Sequence, residues 1–320
     1  MKKRTGIWLF AAALLIIAGL IMFTAVMSVY NWDFTKLSTE KYETHIYEIS
    51  EEFSRISVNT DTTDIAFVLS EDGKCRVECY EEETAKHFAA VEGNSLVIRM
   101  LDEKIFKIKI GLFFDLPKIT VYLPKAEYAE LSVKETTGDI IIPQGFEFDD
   151  IDISLSTGDV DLSASASEAI KIETSTGSIR ITGISAGSLA LSSSTGGITV
   201  SDVSCRGDIG TGSSTGKMNL SDISCKNLIS VADTGDIVLK NVIASEKFFI
   251  KRSTGDVNFD GADAAEILIE TDTGDITGTL LSKKIFIVET DTGNIDVPKS
   301  ISGGKCEITS NTGDIRINIQ

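Results

Sequence analysis

The chain has 320 residues, with 30 Lys and Arg against 48 Asp and Glu, a formal charge of −18 at neutral pH. So acidic a surface argues against nucleic acid or an anionic membrane as the main partner of the folded part. Only four prolines stand among plentiful Ile, Val, Ser, Thr and Gly, a β-type composition.

Met1 to Arg4 is a basic tip, and residues 7–29 run for 23 positions without a charge. A helix of that length spans roughly 34 Å, enough for the hydrocarbon core of a bilayer. The run exceeds an ordinary secretory signal, and the region around Ala25 and Ser28 offers a poor cleavage site. The expectation is therefore an uncleaved signal anchor at 7–29, with a cytoplasmic tip at 1–6 and everything after the helix outside. Trp8, Tyr30 and Trp32 fall where interfacial aromatics belong.

Residues 30–52 are polar and mixed and read as a stalk. Strand-like runs follow at 56–58, 65–69, 75–80, 96–100, 105–110 and 119–123, so residues 53–128 are expected to be an irregular β section capping what comes next. Within it, Gly111, Leu112, Phe113 and Phe114 make an unusually apolar loop, and Asp61-Thr62-Thr63-Asp64-Ile65 looks like a worn copy of the phrase described below.

From 129 to 320 the chain repeats. Ten Thr-Gly pairs place glycines at 138, 158, 177, 196, 216, 235, 255, 274, 293 and 313, always 19 or 20 apart. Such a period means a solenoid of stacked coils. Two residues after each glycine comes an apolar side chain, from Ile140 to Ile315 without exception, and further apolar columns alternate with polar ones at period two. That is a strand with one face buried. The fold class read here is all-β, a single-stranded parallel β-helix with an N-terminal transmembrane helix. Ten coils at roughly 4.8 Å make a rod of about 48 Å. The glycine suits a corner at positive φ, and the threonines before it are expected to stack and exchange hydroxyl hydrogen bonds.

The anchor, the strand Ile119-Thr120-Val121-Tyr122-Leu123-Pro124 and the Thr-Gly-Asp-Ile coils together resemble the bacterial putative-adhesin β-helix family over roughly residues 45–320. The resemblance implies a right-handed parallel β-helix of the cell envelope, in some members encoded beside envelope-stress sensors, and it supplies no catalytic residue.

Asp-Thr-Gly at 233–235, 272–274 and 291–293 has the letters of an aspartic-protease signature, but every copy occupies the same structural corner, and that enzyme needs two facing carboxylates. Asp follows the glycine at 139, 159, 236, 256, 275 and 314. Stacked carboxylates repel unless something lies between them, so Asp236, Asp256 and Asp275 are weak candidates for calcium, against a plain solvated turn. The cysteines number five. Cys205 and Cys225 stack one coil apart, where a disulfide and two reduced thiols are both possible, while Cys75 and Cys79 share one face of a strand and Cys306 falls in an inward column. Both histidines, His45 and His87, lie outside the coils, and the coils carry no long insertion to form a cleft, which argues against a polysaccharide lyase or hydrolase.

The outward column six residues before the glycine holds Ile229, Phe249, Leu268 and Ile287 in four consecutive repeats. An apolar stripe opposite the core marks a partner-binding face, unless residues 104–116 or a local shift of register covers it. The chain's last coil, ending at Gln320, has no evident cap. The function read from all this is a non-enzymatic, membrane-anchored, extracytoplasmic module that is adhesin-like or associated with envelope stress. It would bind an envelope protein or a wall or surface polymer. A carbohydrate-active enzyme and a calcium-ordered adhesin are the alternatives.

Overall fold

A computed structural model describes residues 2–32, 42–101 and 117–320. The expected strand at 105–110, the apolar loop at 111–114 and the cover at 104–116 lie outside these residues, as do residues 33–41 of the expected stalk. The helix Lys2–Val29 contains a stretch, Phe10–Val29, long and apolar enough to cross a membrane by length and composition.

The rest is a β-solenoid, and one coil shows its plan. Phe248, Ile250 and Arg252 point inward from the first face and Gly255 turns the chain; Val257 and Phe259 fill the second face and Gly261 turns it again. Ala262 and Ala264 line the third face, and a register shift between Ala244 and Lys247 marks the last corner against the coil before. The parallel register keeps like positions together: Ile237 pairs with Val257, Val257 with Ile276, and Phe248 with Ile267. In five consecutive coils the second corner is left-handed, with φ of 68° at Gly183, 55° at Asp202 and Asp222, 52° at Asn241 and 66° at Gly261. Gly, Asp and Asn tolerate that region best.

The Thr-Gly corner is tighter. Gly255 has φ 140°, and a Cβ built on it would stand 2.2 Å from the carbonyl oxygen of Gly235. Each glycine of the ridge meets the carbonyl of its neighbour in the stack in the same way, and Gly138 meets that of Thr63, which confirms the worn copy. Positive φ was the expected reason for glycine; the backbone of the neighbouring coil is a second and stricter one.

Coil order departs from chain order at both ends. The strands Arg55–Asn59 and Asp64–Leu69 insert between the strands Ser95–Met100 and Lys118–Leu123 on one side and Glu127–Thr137 and Ile140–Ile142 on the other. At the other end, Ile267–Ile269 of the strand Val257–Thr273 pairs with Cys306–Ile308, not with Phe286–Val288. The chain's final coil is thus sandwiched, and the coil of Lys284–Thr292 and Ile295–Asp296 is the outermost. The expectation that Gln320 ends an uncapped last coil is therefore corrected: among the described residues, the coil without an outer partner is the one before it in sequence. Within the segment read as a stalk, Tyr42–Ile49 forms a strand antiparallel to Cys75–Glu82. The alternation of Tyr47 and Ile49 toward the core and the stacking of Tyr42 on Tyr80 at 5.1 Å hold it there.

Gly255→Ala should cost about 3 kcal/mol or more of unfolding free energy, from overpacking plus backbone strain. Gly210→Ala, where the nearest atom to a built Cβ is 3.9 Å away, should change stability by no more than about 1 kcal/mol. Denaturant unfolding of the two variants makes the comparison.

Candidate binding face and the columns around it

The Asp column at the tight corner is a hydrogen-bond ladder. Asp236 Oδ1 accepts the backbone N–H of Asp256 at 3.1 Å, Asp256 Oδ1 that of Asp275 at 2.8 Å, and Asp275 Oδ1 that of Asp314 at 2.8 Å. Asp314 accepts from Asn294 at 2.7 Å, which follows the inserted order of the coils. The Asn294 amide, seconded by its side chain and by Arg316, holds the Asp314 carboxyl below its ordinary value. Near the other end Asp139 takes the N–H of Asp159, and Asp159 that of Ser178. Stacked carboxylates coexist because each is separated from the next by a donor, so the column is explained without a cation. Among the described residues no group of three or more His, Cys, Asp or Glu is placed to hold a metal ion. The threonines before the glycines stack in register, but the ties across this corner come from aspartate, from backbone and from hydroxyls one turn of the pleat earlier, such as Ser193 donating to the Gly177 carbonyl at 2.9 Å, and not from the threonine hydroxyls expected to make them.

Several polar groups are enclosed. Glu135 points inward three residues before Gly138, is 6 % exposed and has neither carboxylate oxygen at hydrogen-bonding geometry. Burial raises its pKa to about 8; the nearby Thr137 amide lowers it in part and the Asp61 charge raises it further. Arg252 occupies the same inward column and donates to Ser230 Oγ at 2.8 Å, and burial lowers its pKa to about 10. The two histidines, apart in sequence, converge on one carboxylate: His45 Nδ1 lies 2.9 Å from Glu81 Oε1 and His87 Nδ1 2.8 Å from Glu81 Oε2. Glu81 and His87 are buried, out of a substrate's reach. All five cysteines are free and buried, Cys205 and Cys225 included. Burial pushes the thiols of Cys75, Cys79, Cys225 and Cys306 up to about 12, far from a reactive thiolate.

An open groove on the third face gathers Glu127, Glu147, Asp149, Ser185 and Arg206. Its acids and Arg206 are solvent-exposed, Asp149 accepts the Ser167 hydroxyl at 2.8 Å, and Arg206 is turned onto the Ser167 carbonyl. Carboxylates that wet lack the burial that tunes a general acid.

The apolar column holds together over three coils. Ile229 pairs with Phe249 and Phe249 with Leu268. Ile229 is 41 % exposed, Phe249 and Leu268 are half-buried, and exposed Val231 adjoins them. Ion pairs flank the patch, Lys247 with Glu266 on one side and Lys251 with Glu270 at 2.8 Å on the other. Ile287 does not continue it. The inserted coil puts Glu307 between Leu268 and Ile287, so the stripe expected over four coils covers three, and Ile287 belongs to the end of the rod.

The family model described as Toastrack DUF4097 matches residues 53–215 and 207–320. No curated protein matches the chain. Similar solved structures include a putative adhesin of Bacteroides fragilis, 18% identical, covering 88% of this chain and 99% of that one at a TM-score of 0.42. A putative lipid binding protein of Parabacteroides distasonis is 18% identical over 74% of this chain and 96% of its own, at 0.48. A putative adhesin of Parabacteroides merdae is 10% identical with the same coverages, at 0.47.

Asp256→Ala should lower stability by about 1 kcal/mol, the net worth of a hydrogen bond, and Asp256→Asn, which keeps an acceptor oxygen, should lose less. Glu135 binds its proton more tightly folded than unfolded. Its contribution is therefore complete below the unfolded value near 4.5 and is lost as pH rises through the folded value near 8. Unfolding free energy should fall across that window by on the order of a few kcal/mol, and Glu135→Gln should flatten the profile.

Proposed function

The chain belongs to the Toastrack DUF4097 family, and on that footing we propose that it is a membrane-anchored extracytoplasmic binding module whose β-helix presents the patch of Ile229, Phe249 and Leu268 to another envelope protein. The observation that carries this reading is the patch itself: large apolar groups on the face opposite the core, with ion pairs along both flanks. An apolar centre with a charged rim is the anatomy of a protein interface. A wall polymer would call for polar groups converging in a cleft, which this face does not offer.

The helix Lys2–Val29 supplies the anchor, its basic start held on the cytoplasmic side and the solenoid carried outside. A role alongside envelope-stress sensing is in keeping with such a module. A rigid rod suits presentation, because its stacked backbone pairing gives a binding face little freedom to lose. Support for a non-enzymatic reading is chemical: Glu81 and His87 are buried where the histidines meet, and the groove around Arg206 holds exposed acids.

A photo-crosslinking residue placed at Phe249 in intact cells should give a discrete adduct of one mass, lost in the Leu268→Asp background. The same probe at Ile141, exposed on a different face, should give none. Identical labelling at the two positions would contradict the proposal.

A further inference from the structure

The outermost coil is left open by the order of the stack. The strands Lys284–Thr292 and Ile295–Asp296 each pair with one neighbour among the described residues, so one edge of each is free. Among the described residues nothing covers the core there. Ile295 is 47 % exposed, whereas Ile276 and Ile315 in the same column are fully buried. Phe286, Val288 and Val297 are only half-buried, and Ile301 is fully exposed. The far end of the rod differs. There the strand His87–Glu92 runs antiparallel along Ser95–Met100, and Cys75–Glu82 runs antiparallel along Lys118–Leu123 with Tyr42–Ile49 beyond it.

A free edge pairs most readily with another strand, and this one matches itself. Laid antiparallel against its own copy about Phe286, it sets Lys283 opposite Glu289 and Ile285 opposite Ile287, on the outward row. Each contact then occurs twice, as an isologous two-fold interface requires. Phe286 meets its copy at the exposed end of the core. Lys284 faces Val288 in this register but already has its partners, with Nζ 2.6 Å from Asp263 Oδ1 and 2.9 Å from Ser282 Oγ. No proline interrupts the strand, and Ile285 and Ile287, 41 % and 53 % exposed, leave its outer side apolar.

We infer that the open coil docks a second copy of this chain, the two strands Lys284–Thr292 pairing antiparallel across a two-fold axis. The chain enters the solenoid at Tyr42, at the opposite end of the rod. The pair therefore points its two entry points away from each other, an arrangement suited to joining molecules held on two facing membranes. That last step rests on the outward-facing anchorage proposed above; the pairing itself does not.

The test is sedimentation of the full chain in detergent over a concentration series, with charge reversal as the probe. Wild type should dimerise reversibly. Lys283→Glu and Glu289→Lys should each weaken the dimer about tenfold or more, since each puts like charges together twice. The double variant should recover to within about twofold, the opposite charges being restored. Phe249→Asp should leave the dimer constant unchanged. A chain that stays monomeric at every concentration would overturn the inference, and so would a dimer indifferent to both single reversals or a double variant that stays weak. Dimers lost in Phe249→Asp and kept in Lys283→Glu would assign self-association to the lateral patch and overturn it as well. With the pairing in hand, vesicles of neutral lipid carrying the full chain should cluster, and those carrying Lys283→Glu should not. Pairing without clustering would count against the anchorage alone.

Discussion

Everything in the body of this protein depends on how closely two coils approach at one corner. The carbonyl oxygen of each ridge glycine occupies the space where its successor's side chain would begin, at about 2 Å from a built Cβ at Gly158, Gly196 and Gly313 alike. A side chain there would meet that oxygen, so glycine recurs at all ten Thr-Gly corners, and Thr63 holds the place in the worn copy. Once the corner is that tight, the residues on either side are forced into vertical register. Threonine stacks on threonine, and the residue two beyond falls onto an apolar column with no solvent exposure over most of its length. Aspartate after the glycine then becomes useful rather than repulsive, because the amide of the next coil lies between one carboxylate and the next.

The same ridge shows how the rod's ends are built. Gly313 sits on Gly274, and Gly293 sits on Gly313, so the chain passes outward and then doubles back to fill the gap it left. The amino-terminal end does something similar with the strands Arg55–Asn59 and Asp64–Leu69. Slotting a coil between two others gives that coil backbone partners on both sides, which a terminal coil lacks. At the amino-terminal end the outer coil gains antiparallel strands along its edges. At the other end it gains none among the described residues, and its isoleucines face outward.

Fold class and core columns were legible because a 19-or-20-residue period and a two-residue alternation are both written in single letters. The worn copy at Thr63 was legible for the same reason. Coil order was not. Ile295 and Ile315 carry identical patterns, and nothing in a repeat says which of two equivalent coils lies outside; Glu307 falls in the apolar column, but sequence order leaves Ile229, Phe249, Leu268 and Ile287 as an unbroken run. The second corner was present in the text, as Gly183, Asp202, Asp222, Asn241 and Gly261 six residues after the ridge glycine, all types suited to left-handed backbone. The meeting of His45 and His87 on Glu81 depends on an antiparallel strand pairing outside the repeat, which periodicity has no means of showing.

The vertical register and the order of coils are one claim, and paired cysteines test it directly. Leu268 and Glu307 are neighbours on adjoining strands, roughly 4.8 Å apart, whereas Leu268 and Ile287 are two strands apart at roughly 10 Å, beyond the reach of a disulfide. Under mild oxidation Leu268→Cys with Glu307→Cys should form an intramolecular bond in high yield, and Leu268→Cys with Ile287→Cys should form none. The reverse outcome would mean that the coils stack in the order of the sequence, and the account of the rod's open end would not survive it.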